Sequence, residues 1–225
     1  MRLPCVLEFD SNWFGLRIGR YDIDPVSAAR WADKKSLDCV YCLVPVAEIW
    51  RVKDATMQYG FRLVDVRVEF ACDARKVTKQ RGIRLATPED SPWVERIARS
   101  AFTGTRFYND RRFDRDLVDE MYANWIREAF ARDIVFTTKE SDGFVTMTKD
   151  GSIGLIAVDA ERRQRGAGTS LMFAALNYAY VNDIPVVTVA TQAGNTSAQR
   201  TFQKVGCRST RTDLWLHRHR DDSDE

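Results

Sequence analysis

The sequence has little excess charge, few cysteines and no long apolar run. Its 34 Lys and Arg residues nearly balance 32 Asp and Glu residues, which leaves a formal net charge of +2. This balance argues against a protein that binds nucleic acid through a broad basic surface, although a local basic patch can still bind a small phosphorylated ligand. No stretch is long enough to span a bilayer and the N-terminus lacks the apolar core of a signal peptide. We therefore expect a cytoplasmic protein without a membrane span.

Cysteine is scarce, and its spacing does not indicate a metal site. The five cysteines are scattered along the chain, and without a secretory signal we expect reduced thiols. Cys39 and Cys42 form a C-x-x-C pair, but they lie in a run of β-forming residues, where side chains three apart point to opposite faces of a strand. No second such pair is present to complete a zinc site, so we expect no bound metal.

The pattern of polar residues divides the chain into two parts. Residues 71–80 are polar and without periodicity, which predicts a boundary between a small N-terminal α/β domain, residues 1–75, and a larger domain, residues 80–225. Strand and helix patterns alternate in the first part, at residues 16–23, 25–37, 39–44, 46–58 and 61–70.

The larger part continues with helices and strands and ends in a charged tail. Thr87-Pro88 followed by acidic residues is typical of a helix start. The other patterns predict strands at 82–86, 134–139, 144–148, 152–158, 185–190 and 208–217, and helices ending near 101, 130, 182 and 204. The fold class expected is therefore α/β. Similar segments at 58–62 and 204–208, each between a helix and a strand, suggest that the first part is a degenerate copy of half of the second.

The segment from Gly154 to Ser170 carries the clearest chemical signal. An apolar strand leads into a loop with three arginines and two glycines, and a long helix follows. The first backbone N–H groups of a helix are unpaired and its dipole is positive there, so anions bind at this end. Arg162, Arg163 and Arg165 add positive charge. The loop predicts a site for a phosphate or, given its length, a pyrophosphate.

Two common phosphate-binding motifs are excluded at this loop. The Walker pattern requires Gly-Lys-Ser/Thr after a longer loop, and the dinucleotide fingerprint requires three glycines and a downstream acid. Neither is present. A surface loop whose arginines are only solvated is the remaining structural alternative.

Arg163-Gln-Arg-Gly-Ala-Gly168 resembles the R/Q-x-x-G-x-G/A signature of the GNAT acetyltransferases, and Asn195-Thr-Ser-Ala198 resembles their second CoA-contacting motif. The resemblance implies a mixed, mostly antiparallel sheet flanked by helices, with acetyl-CoA or another acyl-CoA as co-substrate. In that family the strand before the loop separates from its neighbour, and free backbone groups hold the pantetheine arm. The cofactor-binding residues implied are Leu155, Ile156, Val158, Arg163, Gln164, Arg165, Gly166, Ala167, Gly168, Thr169, Asn195, Ala198 and Phe202.

A narrower resemblance extends over nearly the whole chain. Residues 12–15, 106–107, 189–196 and 215–218 are similar to those of the bacterial TDP-fucosamine N-acetyltransferases and related N-acyltransferases, which acylate nucleotide-linked amino-dideoxyhexoses for surface polysaccharides such as lipopolysaccharide. The resemblance implies a nucleotide-linked amino sugar, dTDP-linked, as acceptor. Arg106 could pair with its phosphate, and Phe107 or Tyr108 could stack on base or sugar. Alternatively, these side chains seal a junction between helices. A homodimer is left open.

The residues for proton transfer are not evident. The family usually carries a tyrosine that protonates the leaving thiolate, but this chain has Phe202 at that position. Tyr108 and Tyr178 are weak substitutes, although Tyr178 lies on an apolar helix face. The general base has four candidates, and the spacing selects none of them: Asp142, Asp150, Asp159 and His217.

Two other functions remain open from the sequence. A GNAT enzyme could act on a protein N-terminus, a lysine or a small polyamine. Alternatively, the absence of the tyrosine makes a non-catalytic CoA-binding regulator conceivable.

Overall fold

Ten strands of the described chain form one sheet. The structure is a computed structural model that describes residues 3–77 and 82–220. The strands are β1 Cys5–Val6, β2 Ile18–Arg20, β3 Cys39–Pro45, β4 Arg62–Asp73, β5 Ile83–Leu85, β6 Ile134–Thr138, β7 Gly143–Met147, β8 Ser152–Val158, β9 Val186–Gln192 and β10 Arg208–His219. The helices are α1 Glu8–Phe14, α2 Pro25–Lys34, α3 Trp50–Gln58, α4 Ser91–Ala101, α5 Arg106–Asn109, α6 Arg115–Arg132, α7 Ala167–Val181 and α8 Thr196–Lys204.

The sheet is mixed and mostly antiparallel, in the order β1-β2-β3-β10-β4-β9-β8-β7-β6-β5. Only the β2–β3 and β8–β9 pairs are parallel. This arrangement confirms the expected α/β class with a mixed sheet. The predicted boundary between residues 1–75 and 80–225 falls next to residues 78–81, which lie outside the described part of the chain.

The central strands are arranged with an internal symmetry, in which β2, β3 and β4 correspond to β8, β9 and β10. The unit β2-α2-β3-α3-β4 has the same succession of elements as β8-α7-β9-α8-β10. Each unit has a parallel pair followed by a third strand that pairs antiparallel, but the third strands are exchanged. β10 lies between β3 and β4, while β4 lies between β10 and β9. This symmetry is the topology that a half-copy would have, and the duplication itself stays a hypothesis.

Helix ends form where the sequence provides capping groups. Asp24 accepts a hydrogen bond from the Val26 backbone N–H at 3.1 Å and begins α2, and Asp114 accepts one from Leu117 at 3.0 Å and begins α6. A short 3₁₀ turn over Pro88–Asp90 precedes α4, with reciprocal capping bonds to Thr87. Such caps satisfy N–H groups that have no partner within the helix.

Three buried clusters cover the two faces of the sheet. One lies beneath α4 and α6, one beneath α7 and α8, and one beneath α2 and α3. Apolar spacing in α6 buries Val118 and Met121 completely and leaves 3% of Tyr122 exposed, whereas Trp125 is half-buried. Tyr122 and Trp125 also line a cavity described below.

Two helices were not expected from the sequence. Helix α1 packs on α6, with stacked Phe9 and Trp13 rings and a hydrogen bond of 2.8 Å from Trp13 Nε1 to the Leu117 carbonyl oxygen. It has no fully buried residue, so its apolar stripe is short. Helix α5 is a single turn within the segment 102–109, which lies between two predicted helices.

One pair of cysteines differs from the expected reduced state. Cys72 in β4 and Cys207 directly before β10 form a disulfide, with Cα atoms 4.3 Å apart. They meet because Ala71 and Arg208 are paired across these neighbouring strands. Cys39 and Cys42 are thiols buried in different core clusters, as opposite faces of a strand require. In the part of the chain that the structure describes, no helix has the length and apolarity needed to span a membrane.

Candidate active site

The sheet opens between β8 and β9. These parallel strands pair only at Ser152 with Thr188 and at Ile153 with Val189, although both continue for several residues. Beyond Ile153 the two strands separate and leave a cleft. The separation matches what the family resemblance implied for the strand before the pyrophosphate loop.

Backbone groups of β8 are divided between β7 and the cleft. The Asp159 N–H donates to the Asp142 carbonyl oxygen at 2.8 Å, and in an antiparallel ladder every second residue faces the same neighbour. Ile156 and Val158 therefore direct their backbone groups into the cleft. The Leu155 N–H instead donates to the Thr146 hydroxyl at 2.9 Å, so it is directed away from the cleft, although Leu155 lines the second cavity described below.

A cavity of about 690 Å³, here called the loop cavity, lies where the cleft meets the starts of α7 and α8. Its lining comes from β8, the loop after it and both helices: Ala101, Phe102, Ile156, Ala157, Val158, Arg162, Arg163, Gln164, Gly166, Ala167, Gly168, Thr169, Asn195, Thr196, Ser197, Ala198, Arg200, Thr201, Phe202 and Lys204. Arg165, expected from the sequence, is not among these residues.

The backbone of the loop wraps around the start of α7. Gln164 and Gly166 have positive φ values of 65° and 89°, so the chain turns sharply and presents the first N–H groups of the helix. A glycine at 166 avoids the strain that a side chain would suffer in this conformation. Arg163 Nε donates to the Val158 carbonyl oxygen at 3.1 Å, which holds the arginine along the cleft.

Four cations line the loop cavity, of which sequence reasoning identified only those of the loop. Arg162 and Arg163 lie in the loop, whereas Arg200 and Lys204 lie on α8. Their i, i+4 spacing on a predicted helix was a signal that could have identified them. Together with the helix N-terminus, this arrangement suits a ligand with several phosphate groups.

A second cavity of about 220 Å³, here called the inner cavity, adjoins the loop cavity and is lined in part by the interior strands β4, β8, β9 and β10. It shares five lining residues with the loop cavity: Phe102, Ile156, Asn195, Ala198 and Phe202. The remaining lining consists of Asp65, Arg67, Thr105, Arg106, Phe107, Tyr122, Trp125, Ile153, Gly154, Leu155, Val189, Ala190, Thr191, Gln192 and Trp215. Asp65 and Arg67 belong to β4, so the N-terminal part of the chain contributes to this cavity.

Two of the shared residues define where the cavities meet. The Asn195 side chain accepts a hydrogen bond from the Ala198 N–H at 3.1 Å and begins α8. Phe202 is 1% exposed and packs edge-to-face on Phe70, with ring centroids 5.6 Å apart. At this junction a tyrosine would offer a proton, and phenylalanine offers none.

The guanidinium group of Arg106 lies among three aromatic rings at the inner cavity. Its guanidinium carbon lies 4.4 Å from the Tyr41 ring centroid, 4.0 Å from that of Phe107 and 4.4 Å from that of Trp215. Such contacts are favourable for a cation and fix the plane of the guanidinium. Its Nη1 lies 3.2 Å from His217 Nε2.

Behind Arg106 lies a buried hydrogen-bonded cluster. Asp110 Oδ2 lies 2.8 Å from His217 Nδ1 and 2.9 Å from His219 Nε2. Burial alone would raise the pKa of Asp110, but hydrogen bonds from the two imidazoles outweigh it and hold that pKa far below its usual range. Burial lowers the pKa of His217 to about 4, with Arg106 acting in the same direction and Asp110 opposing it.

The same three side chains could in principle hold a metal ion, because their ligand atoms lie within 4.8 Å of one another. The position of Arg106 argues against this. Arginine only donates hydrogen bonds, so His217 Nε2 must accept, and the ring proton then resides on Nδ1, facing Asp110. A metal ion bound at Nδ1 would require the ring proton to lie on Nε2. That N–H would then face the N–H donors of Arg106, and neither group could accept.

Asp65 is the carboxylate of the inner cavity. Burial raises its pKa, partly offset by the Val66 N–H, which donates at 2.7 Å, and by the charge of Arg106. Tyr122 also faces this cavity, and its hydroxyl donates to Thr105 Oγ1 at 2.9 Å. Burial raises the pKa of Tyr122 to about 12. Sequence reasoning identified neither residue as part of a site. Asp65 reaches the cleft through the long-range pairing of β4 with β9, and Tyr122 lies among the apolar positions of α6.

All six residues considered for proton transfer from the sequence lie outside both cavities, including His217, which lies behind Arg106. Tyr108 donates to Asp119, and Tyr178 packs edge-to-face on Phe136. Asp142 accepts from the Thr138 hydroxyl, Asp150 accepts from the Thr148 hydroxyl, and Asp159 caps the turn after β8. Of the expected acceptor residues, Arg106 and Phe107 line the inner cavity and Tyr108 does not.

The chain is similar to known acetyltransferases. Residues 101–207 match the Acetyltransferase (GNAT) family. The dTDP-fucosamine acetyltransferase of Escherichia coli O6:H1 is 32% identical over 176 residues, which cover 73% of this chain and 75% of that protein.

Solved structures are similar in fold. A GCN5-related N-acetyltransferase from Sphaerobacter thermophilus has a TM-score of 0.62 at 14% identity, covering 96% of this chain and 76% of that one. A putative GNAT acetyltransferase from Novosphingobium aromaticivorans has a TM-score of 0.57 at 13% identity, covering 90% and 83%.

Proposed function

The chain belongs to the GNAT acetyltransferase family, whose members use acetyl-CoA as co-substrate, and we propose that it acylates the amine of a nucleotide-linked amino-dideoxyhexose. The observation that carries this proposal is the junction of the two cavities. A polyphosphate site at the loop cavity opens, at Asn195 and Phe202, onto an inner cavity lined by arginines and aromatic residues.

Acyl-CoA fits the loop cavity. The start of α7 and the side chains of Arg162 and Arg163 would hold the pyrophosphate, while Arg200 and Lys204 offer charge for a further phosphate. The backbone groups of Ile156 and the N–H of Val158 would bind the pantetheine amides in the cleft, while the Val158 carbonyl oxygen accepts from Arg163. The thioester would then reach the junction, where a free backbone N–H can polarise its carbonyl group.

The inner cavity suits an anionic, flat-faced acceptor better than a cationic one. Arg106 offers a positive charge, and Trp125 and Trp215 offer faces for a base or a sugar. A polyamine or a lysine side chain would instead be expected to meet several carboxylates. The Escherichia coli relative is named as a dTDP-fucosamine acetyltransferase. This name supports a dTDP-linked amino sugar as the acceptor here. Synthesis of a surface polysaccharide such as lipopolysaccharide, in the cytoplasm, would be the biological role.

Direct attack accounts for the reaction. The neutral amine forms a bond to the thioester carbonyl carbon, the nitrogen then releases its surplus proton to solvent, and the C–S bond breaks with its electron pair leaving on sulfur. Asp65, whose pKa is raised by burial, is the carboxylate placed to take the proton of the ammonium group, directly or through water. Alignment of amine and thioester at the junction contributes several kcal/mol to catalysis.

Phe202 gives no proton to the departing sulfur. A CoA thiolate is a tolerable leaving group because an ordinary thiol has a pKa of about 8.5, so the reaction proceeds without a dedicated acid, at a lower rate. The proton that Asp65 removes can return to sulfur through solvent after the bond has broken.

Release of free CoA thiol, measured with acetyl-CoA and a panel of amines, tests the proposal. The panel contains dTDP-linked amino-dideoxyhexoses with the amine at either ring carbon 3 or 4, a lysine peptide and spermidine. We expect turnover with one of the nucleotide sugars and background rates with the other two. Turnover with the peptide or the polyamine alone would refute the acceptor class. Tight acetyl-CoA binding without turnover on any amine would support a non-catalytic CoA-binding regulator instead.

A further inference from the structure

The two arginines of the inner cavity differ in how their charge is compensated. Arg67 lies 2.6 Å from Glu69 and 3.5 Å from buried Asp213. Arg106 has no carboxylate that close among the described residues, since Asp10 is 4.0 Å from its Nη2. Because opposite charges in contact largely cancel each other's field, Arg106 is the stronger anion-binding group of the two.

An arginine that is 17% exposed normally requires a hydrogen-bond partner. For Arg106 that partner is the imidazole of His217, which is itself fully buried. The imidazole accepts through Nε2 and donates from Nδ1 to Asp110. A neutral ring satisfies a guanidinium N–H without neutralising its charge, whereas a carboxylate at the same place would do both.

The groups around His217 select the tautomer with its proton on Nδ1. Asp110 accepts from His217 Nδ1, from His219 Nε2 and from the Arg112 N–H. Tyr41 stacks on the imidazole with ring centroids 4.3 Å apart, and Arg106 faces the other nitrogen. A second proton on His217 would place two cations 3.2 Å apart in a buried site, which is strongly unfavourable.

We infer that His217 is a positioning residue for the acceptor: held in one tautomer by Asp110, it fixes Arg106 toward the inner cavity and leaves its charge available for the phosphate groups of a nucleotide. The inference rests on the proposed function for the identity of the acceptor. His217 does not itself line the inner cavity, so it acts through Arg106.

Two substitutions at His217 separate this role from packing. In His217→Gln the side-chain amide reaches the position of Nε2 and can accept from Arg106. In His217→Asn the amide ends near the position of Nδ1, so it keeps the bond to Asp110 and loses the one to Arg106. We expect His217→Asn to raise the KM for the nucleotide sugar by about tenfold or more. The KM for acetyl-CoA should change by less than about twofold, and His217→Gln should lie closer to the wild type.

A third variant, at Asp110, covers the case that His217→Asn does not fold. In Asp110→Asn the new amide can donate to His217 Nδ1, which forces the proton onto Nε2, where it opposes the donors of Arg106. This change of tautomer is the effect known from the corresponding substitution in a serine protease triad. We expect the acceptor KM to rise here as well, with acetyl-CoA binding preserved.

Binding of dTDP, measured by quenching of tryptophan fluorescence, separates the inference from the proposed function. Trp125 and Trp215 line the inner cavity and report on it. Weaker dTDP binding in His217→Asn than in His217→Gln supports the inference even if no amino sugar is acylated. Equal effects of the two variants on dTDP binding and on acceptor KM, or a parallel rise in the KM for acetyl-CoA, would overturn it.

Discussion

At the scale of single residues, Phe202 and Asp65 determine how protons move during the reaction. Phe202 is buried at the junction of the two cavities and has no ionisable group. Asp65 lies in the inner cavity, where burial raises its pKa. The sequence identified the missing acid at position 202 because the loop motif fixed the register of the following helix. It could not identify Asp65, since nothing local connects β4 to the cleft.

Asp65→Asn tests the proposed base. Asp65 accepts a proton only when ionised, so kcat/KM should fall as the pH drops through its pKa, which burial places above the usual aspartate range. In the variant, this fall in kcat/KM at low pH should be absent, and kcat should be lower by about 100-fold or more. Asp150→Asn, a change outside both cavities, should keep both this fall and the rate. An unchanged pH profile in Asp65→Asn would show that another group takes the proton.

Phe202→Tyr tests the effect of the missing acid. The new hydroxyl would lie at the junction and could protonate the leaving sulfur, so we expect kcat to be unchanged or up to about tenfold higher. A buried hydroxyl without a partner costs about 1–3 kcal/mol, which a thermal unfolding experiment would detect. A large loss of kcat with normal acetyl-CoA binding would contradict a position facing the sulfur.

At the scale of elements, local signals placed the site and long-range pairing completed it. The strand at 152–158, the glycine loop and the helices on either side were predictable, because periodicity, capping and glycine act within a few residues. The cations on α8 and the helix α1 were not recognised, although their signals are also local. The exchange of β4 and β10 was not predictable, since partners more than a hundred residues apart leave no mark in either segment.

Gly166→Ala tests the conformation of the loop. A Cβ at this position would meet no atom within 4 Å, so only the φ of 89° resists the substitution. We expect a loss of about 1 kcal/mol in the free energy of unfolding and a weaker affinity for acetyl-CoA by calorimetry. Gly104 also has open space around it and no positive φ, so Gly104→Ala is the matched control and should bind acetyl-CoA normally. Equal affinity in both variants would contradict the loop geometry.

At the scale of the whole molecule, the two symmetric units differ where ligand binding would occur. In the C-terminal unit the parallel strands separate after Ile153. In the N-terminal unit they stay bonded beyond β2, through Tyr21 to Tyr41 at 3.0 Å and Ile23 to Leu43 at 2.9 Å. The carboxylate of Asp24 caps the start of α2, at the place that an anion would take. The N-terminal unit therefore lacks the cleft, and the N-terminus of α2, which corresponds to α7, is occupied by a carboxylate.

The exchanged strands make the two units dependent on each other. Both neighbours of β10, namely β3 and β4, lie within residues 1–75. A chain of residues 80–225 would leave β10 without a partner and expose an edge of β9, which promotes aggregation. We expect this fragment to show no cooperative unfolding transition, whereas residues 7–225, which lack only the short edge strand β1, should unfold cooperatively. A stable, acetyl-CoA-binding fragment 80–225 would contradict this interdependence.

The most direct test of the central claim is the stoichiometry of the products. Purified protein is incubated with acetyl-CoA and a dTDP-linked amino-dideoxyhexose, and the nucleotide sugar and free CoA are quantified by mass spectrometry and thiol titration. We predict that the sugar gains one acetyl group on its amine for each CoA released. Release of CoA without an acetylated sugar, or no reaction with such sugars while another amine is acetylated, would contradict the proposed function.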